Sequence, residues 1–209
     1  MKYFNKIILA SALVGSFTFS FAQKVDAKAK TILETVSKNY KAKKNTYFKF
    51  SYGTGTGKVS KIETGIFYST PTQYKLNIMG NEQIFDGKKV YNISKEDQEV
   101  TIAQPNGSEK ALSPINYLDE YKTGYTVTYA GKSGGLDLIK MVPAKDNGVK
   151  SVVLYINTPK KQIAKIVQTS SGNDLAVITV NQYKENQSLS ASTFSFDKNK
   201  YKNYLITEL

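Results

Sequence analysis

The sequence predicts a mainly β domain of the α+β class, in which one amphipathic helix is followed by about eleven antiparallel strands. Three observations support this prediction: apolar residues at helical spacing near the start, alternation of aromatic or branched residues with polar ones over residues 65–93, and a second series of alternating segments after residue 123. With 209 residues, 40% of them hydrophobic, the chain is long enough to form one domain with a buried core.

Residues 1–22 have the features of a secretory signal peptide. Lys2 and Lys6 provide a basic start, residues 7–21 form an apolar run too short to span a membrane, and Ser20-Phe21-Ala22 offers small residues for cleavage. We therefore expect export, cleavage near Ala22 and Gln23, and a folded domain over residues 23–209. Because the chain has no cysteine, we expect neither disulfides nor a lipid anchor.

The helix is predicted over residues 25–44. Its apolar residues recur at helical spacing, and lysines and Glu34 fall on the opposite side. This apolar side must lie on another apolar surface. Its members are Val25, Ala29, Ile32, Leu33, Val36 and Tyr40.

The strands are predicted from alternation between turn signals. Phe48 and Phe50 share one face of the first strand, and Tyr74, Leu76 and Ile78 share one face of the third. The first series covers residues 46–53, 58–69, 72–79, 81–85, 89–94 and 99–103. A loop and a short helix starting at Ser113-Pro114 precede the second series, which covers residues 125–130, 136–142, 151–157, 162–169 and 175–183.

Two hairpin registers follow from the turn sequences. A loop centred on Thr70-Pro71 pairs Phe67 with Tyr74, which brings two aromatic rings together. A loop centred on Gly87-Lys88 pairs Phe85 with Val90 and Ile84 with Tyr91. This register matches apolar residues better than a loop at Asp86-Gly87, which would set Ile84 against Lys89.

The composition argues against the commonest catalytic and metal sites. The chain has no His, Cys, Arg or Trp, so imidazole or thiolate metal ligands and histidine-activated nucleophiles are excluded. The spacing of the carboxylates does not favour acid and base roles over solvated charges. We therefore predict a protein that is not an enzyme and needs no cofactor or metal.

All 29 basic residues are lysines, against 17 acidic residues. Sequence-specific binding of nucleic acid relies heavily on arginine, so nucleic acid is not an expected partner. Lysines scattered singly between apolar strand positions are typical of a solvated sheet face. Attraction to anionic lipid head groups is the functional alternative.

Five segments in this order resemble the LolA family, the periplasmic carriers that move lipoproteins from the inner to the outer membrane of Gram-negative bacteria. The segments are the amphipathic helix, TYFKFSY, GIFYSTPTQYKLNI, FDGKKVYNI and the late TFSFD. The resemblance implies an open half-barrel of about eleven antiparallel strands with a helical lid. The lysine-rich, arginine-free composition resembles Bacteroidetes-type members.

The resemblance also implies a function and a lipid-binding site. Acylated lipoproteins would be the cargo, an ABC-type releasing complex of the inner membrane the donor, and an outer-membrane protein the acceptor, with the carrier itself a periplasmic monomer. A dry groove that binds acyl chains by shape-tolerant apolar contact would hide them from water. The expected groove residues are Ile32, Leu33, Val36, Phe48, Phe50, Phe67, Tyr74, Leu76 and Ile78. The alternative for each is a place in an ordinary core.

One position departs from the family pattern. Thr70 stands before the hairpin proline where proteobacterial members have an arginine that helps hold the lid shut. A hydroxyl offers one donor where a guanidinium offers five, so we expect a different or weaker latch. Two other functions stay open: a lipid-binding or envelope-sensing domain of the same fold, and a secreted hydrolase that acts on an apolar substrate.

Overall fold

The structure, a computed structural model, describes residues 25–105, 115 and 117–209. The predicted signal peptide and the predicted helix start at Ser113-Pro114 lie outside the described residues. The helices are α1 (Ala27–Lys41) and α2 (Tyr117–Glu120), with 3₁₀ turns at Ala191–Phe194 and Lys198–Tyr201. The first six strands are β1 (Thr46–Thr56), β2 (Lys61–Ser69), β3 (Tyr74–Ile78), β4 (Asn81–Phe85), β5 (Val90–Ser94) and β6 (Glu99–Ala103). The others are β7 (Tyr125–Ser133), β8 (Leu136–Pro143), β9 (Val149–Asn157), β10 (Gln162–Ser170), β11 (Asp174–Glu185) and β12 (Leu205–Glu208).

The described strands form a single open sheet in the order β12-β6-β5-β4-β3-β2-β1-β11-β10-β9-β8-β7. The predicted fold class, an open and mainly antiparallel half-barrel, is confirmed. The sheet has one strand more than expected, because the chain returns after Asp197 and β12 pairs in parallel with β6. Neither helix of the described chain combines the length and apolar character that a membrane span needs.

Helix α1 begins and ends inside the predicted range. The side chain of Asp26 caps its start by accepting a hydrogen bond from the backbone amide of Ala29 at 2.9 Å. Val25 was expected inside the helix but instead forms a parallel bridge with Val127 of β7. The apolar side of α1 is buried in the main core, as the periodicity predicts.

The predicted register of the β2–β3 hairpin is wrong by two residues. Phe67 lies opposite Leu76, and Ser69 lies opposite Tyr74. The turn is centred on Pro71 and Thr72, closed by a hydrogen bond from the amide of Thr70 to the carbonyl of Gln73 at 2.8 Å. Proline suits the first central position of a turn, whereas the predicted loop put it at the second.

The predicted register of the β4–β5 hairpin is confirmed: Phe85 lies opposite Val90 and Ile84 opposite Tyr91. Asp86 closes this turn, because its carboxylate accepts hydrogen bonds from the amides of Lys88 and Lys89, both at 2.8 Å.

The two faces of the sheet have separate cores. The helix-bearing face carries the main core, which includes Phe48, Phe67 and Tyr74. The opposite face carries a smaller core of Ile84, Ile93 and Val100, against which side chains of the returning C-terminal segment pack: Phe196, Tyr201 and Tyr204. This segment therefore stabilises the β4–β6 part of the wall from outside.

Candidate functional site

A cavity of about 380 Å³ lies between the last turn of α1 and the β2–β3 hairpin. Its volume is within the range of small-molecule pockets, roughly 300–1,000 Å³. The lining comes from four parts of the chain: the end of α1 and the loop that follows it, the start of β1, the β2–β3 hairpin from the end of β2 to the start of β3, and the segment around α2.

One wall of the cavity is apolar. The rings of Phe67 and Tyr74 stack with centroids 5.8 Å apart, on neighbouring strands of the same face. Pro71 extends this wall into the turn, and Ile115 and Leu118 cover the cavity from the side of α2. Such a wall excludes water and contacts hydrocarbon without directional demands.

The other wall is polar although it is buried. The hydroxyls of Thr46 and Ser69 lie 2.7 Å apart and share a hydrogen bond, and both residues are buried. The side-chain amide group of Asn45 donates a hydrogen bond to the backbone carbonyl of Gln187, and its side-chain oxygen accepts one from the backbone amide of Gln187. Ser37 is only 6% exposed and has no side-chain hydrogen-bond partner among the described residues. The cavity is therefore amphipathic rather than uniformly apolar.

The structure brings all nine predicted groove residues into one apolar cluster. Two of them, Phe67 and Tyr74, line the cavity. The remaining seven are buried in the core that continues from it: Ile32, Leu33, Val36, Phe48, Phe50, Leu76 and Ile78.

Sequence reasoning missed several lining residues, among them Ser37, Tyr40 and Leu118. Ser37 had a visible signal, because a small polar residue on the apolar side of an amphipathic helix leaves space and a free hydroxyl. Leu118 had none, since its place beside the cavity depends on how α2 packs against α1.

Helix α1 is bonded to the β7–β10 half of the sheet. Near its start, the amide of Asp26 donates to the carbonyl of Val127 at 2.9 Å, and the ammonium group of Lys28 lies 3.7 Å from the ring centre of Tyr129. At its end, the hydroxyl of Tyr40 accepts from the amide of Ile163 at 2.8 Å. The cavity lies on the other side of α1, toward β2 and β3.

The hydrogen bonds of the Thr70 side chain stay within the β2–β3 turn. Its hydroxyl accepts from the amide of Gln73 at 2.9 Å, within its own turn. An ion pair between Lys41 of α1 and Asp119 of α2, with N and O atoms 2.5 Å apart, joins the two helices at the edge of the cavity. Both side chains are more than half exposed, so we expect this pair to add less than about 1 kcal/mol.

Two buried tyrosines of the helices, Tyr40 and Tyr117, are neutral at physiological pH. Burial raises the pKa of Tyr40, and the hydrogen bond from Ile163 only partly offsets this effect. Burial likewise raises the pKa of Tyr117, whose hydroxyl donates to the side-chain oxygen of Gln168 at 2.7 Å. Both phenols therefore stay protonated and act as hydrogen-bonding parts of the helix packing.

Solved structures with this fold include an uncharacterized conserved protein from Thermus thermophilus. It is 12% identical with a TM-score of 0.61, over 87% of this chain and 99% of that one. A LolA superfamily protein from Nitrosomonas europaea is 10% identical with a TM-score of 0.44, over 81% and 98%. MucB from Pseudomonas aeruginosa, solved in complex with MucA, is 10% identical with a TM-score of 0.43, over 82% and 62%. At 12% identity, the likeness to the Thermus thermophilus protein concerns the fold alone.

No curated protein matches the chain significantly. The model of one protein family does match, and its description is outer membrane lipoprotein carrier protein LolA. The match covers residues 54–197, which is more than half of the chain and runs from the end of β1 to the 3₁₀ turns. On this match, together with the open sheet and its helices, the chain belongs to the LolA family.

Proposed function

We propose that this protein is a periplasmic carrier that shields the acyl chains of lipoproteins and moves them from the inner to the outer membrane. Residues 1–22 act as a cleaved signal peptide in this proposal, and residues 23–209 form the carrier. An ABC-type releasing complex of the inner membrane delivers the cargo, and an outer-membrane acceptor receives it.

The observation that carries this proposal is the amphipathic cavity beneath the end of α1, in a chain of the LolA family. An acyl chain needs a dry apolar surface, since each methylene removed from water contributes roughly 0.8 kcal/mol. Phe67, Tyr74 and Leu118 supply such a surface. The acyl chains of a lipoprotein end in ester or amide groups, for which Ser37 supplies a donor beside the apolar wall.

The cavity has to enlarge before it can hold more than part of one acyl chain. We propose that α1 moves away from β2 and β3 while its bonds to the β7–β10 half are kept. Ile32, Leu33 and Val36 then face the groove from α1, and Phe48, Phe50, Leu76 and Ile78 face it from the sheet. This process is binding and release, and it involves no bond-breaking step.

Mass spectrometry of co-purified lipid tests the proposal. The protein is purified from an envelope fraction without detergent, and bound material is extracted with organic solvent. We expect acylated peptides in this extract. The Ser37→Leu variant, in which a larger side chain fills the cavity, is purified in parallel and should yield none. Phospholipid as the sole bound lipid would contradict cargo transfer and favour a lipid-binding or envelope-sensing domain of the same fold.

A release assay gives a second readout. Inner-membrane vesicles that contain the releasing complex and a labelled lipoprotein are incubated with ATP and the protein and then sedimented, and the label in the supernatant is measured. The carrier is expected to release label in proportion to its concentration. A protein that binds lipid but leaves the label on the vesicles would not be a carrier.

A further inference from the structure

The loops of the described sheet gather at two ends, because neighbouring strands run mostly in opposite directions. One set, here called the basic end, consists of loops 42–45, 70–73, 86–89 and 158–161, together with the uncharged connections 134–135 and 186–190. The other set, here called the neutral end for its strand-to-strand loops, consists of loops 57–60, 79–80, 95–98, 144–148 and 171–173, together with the connections 121–124 and 202–204 that lead into β7 and β12. Lys43, Thr70, Pro71 and Gln73 line the cavity, so its mouth lies at the basic end.

Charge is divided unequally between these two ends. The strand-to-strand loops of the neutral end carry equal numbers of both signs, Lys58, Lys95 and Lys145 against Glu96, Asp97 and Asp146, and its two other connections add Lys122 and Lys202. The loops of the basic end carry Asp86 and six lysines, which are Lys43, Lys44, Lys88, Lys89, Lys160 and Lys161. The positive charge of these loops is therefore concentrated around the cavity mouth.

Most of these lysines are available to an outside partner. Lys44, Lys88, Lys160 and Lys161 are exposed and form no salt bridge within the described chain. Lys38, in the last turn of α1, is exposed in the same way. Asp86 offsets only one of these positive charges, and its carboxylate also accepts hydrogen bonds from two amides of its own turn and from the hydroxyl of Tyr91.

We propose that the basic end docks on the anionic head groups of a lipid bilayer, with the cavity mouth facing the membrane. This inference rests on the proposed carrier function, since only a protein that takes up acyl chains gains from this orientation. An acyl chain then passes between bilayer and cavity without crossing water.

The character of the surface favours lipid over an acidic protein. Protein interfaces are enriched in arginine and aromatic residues at their centre and depleted in lysine. The described basic-end loops carry no exposed large hydrophobic residue, and their cations are all lysines. Lysine ammonium groups spread over separate loops suit a diffuse layer of phosphates, where each contributes about 1 kcal/mol.

Two matched triple variants test the proposal in co-sedimentation with vesicles. One replaces Lys44, Lys88 and Lys161 by glutamine at the basic end, and the other replaces Lys58, Lys95 and Lys145 at the neutral end. Both lose three positive charges from exposed loop positions. Protein from the envelope fraction is mixed with vesicles of phosphatidylglycerol and phosphatidylcholine, or of phosphatidylcholine alone, at low and high salt.

We expect binding to the anionic vesicles only, lost at high salt, and weakened about 100-fold in the basic-end variant. The affinity of the neutral-end variant for the anionic vesicles should stay much closer to that of the parent protein. Equal losses in both variants, or equal binding to neutral vesicles, would overturn the proposal. Capture on polyglutamate beads that depends on the basic end, without vesicle binding, would also overturn it and assign the surface to an acidic protein.

The same variants separate this inference from the carrier function. Binding of a fluorescent fatty-acyl probe in solution reports the cavity, which the three substitutions do not touch. If the parent protein binds the probe but does not bind the vesicles, only the docking surface is refuted. If the parent protein does not bind the probe, the carrier function itself is refuted.

Discussion

The hydroxyl of Tyr40 accepts a hydrogen bond from the backbone amide of Ile163 at 2.8 Å, in a buried contact between the last turn of α1 and the start of β10. The ring of Tyr40 also packs against Phe48, with centroids 5.7 Å apart. This residue therefore fixes the end of α1 that borders the cavity.

Tyr40→Phe keeps the ring and removes the acceptor. The amide of Ile163 then stays buried without a partner, so we expect a loss of about 1–3 kcal/mol in the free energy of unfolding, measured with urea. Tyr155→Phe is the matched control, because the Tyr155 hydroxyl forms no hydrogen bond within the described chain, and it should change stability by less than about 0.5 kcal/mol. Equal stability of the two variants would show that the Tyr40 bond is unimportant.

Ser37→Leu fills the cavity from α1. Leucine favours helix more than serine does, and Ser37 forms no side-chain bond within the described chain that would be lost, so we expect the fold to be kept. The affinity for a fluorescent fatty-acyl probe should fall at least about tenfold, which corresponds to about 1.4 kcal/mol. Thr31→Leu, at an exposed position of the same helix, should leave the affinity unchanged. Unaltered probe binding by Ser37→Leu would place the acyl site elsewhere.

Gly65→Ala tests the packing beneath the groove. A β-carbon at Gly65 would lie 2.3 Å from the ring of Phe50, which is fully buried and cannot move freely. We expect a destabilisation of about 1–3 kcal/mol by overpacking, visible as a lower urea midpoint. At Gly172 a β-carbon has no contact closer than 3.7 Å, so Gly172→Ala should be nearly neutral. A Gly65→Ala protein as stable as the parent would mean that Phe50 and its neighbours can move aside at little cost.

Acidification should weaken the fold through Asp137. The pKa of this buried carboxyl lies below its ordinary value of 3.8, because Thr158 and Tyr129 donate hydrogen bonds to it and Lys132 is near, which together outweigh its burial. Folding therefore favours the ionised form, and the stabilisation is complete above about pH 4 and is lost as the pH falls below it.

Urea unfolding from about pH 6 to about pH 3 measures this effect. Thr158→Val removes the nearest donor, at 2.6 Å, and should make the unfolding free energy fall less steeply below about pH 4. An unchanged slope in this variant would show that other carboxyls govern the acid response.

The hairpins show what apolar matching can and cannot predict. At β4–β5 the correct register pairs Phe85 with Val90, and the competing register sets an apolar residue against a lysine, so matching alone selected it. At β2–β3 both registers put Phe67 and Tyr74 on one face, so matching could not distinguish them. The position of Pro71 in the turn decided the register, and proline geometry was the signal to use.

The sequence by itself determined the fold class, the helix, the residues that share each sheet face and the absence of histidine and cysteine chemistry, because these depend on local periodicity and composition. The tertiary structure alone decided where space is left: the cavity at Ser37, Phe67 and Tyr74, the contact between α1 and β10, and the gathering of lysines from separate loops at one end. Each of these joins residues far apart in the chain, and their spacing in the sequence carries no record of the distances between them.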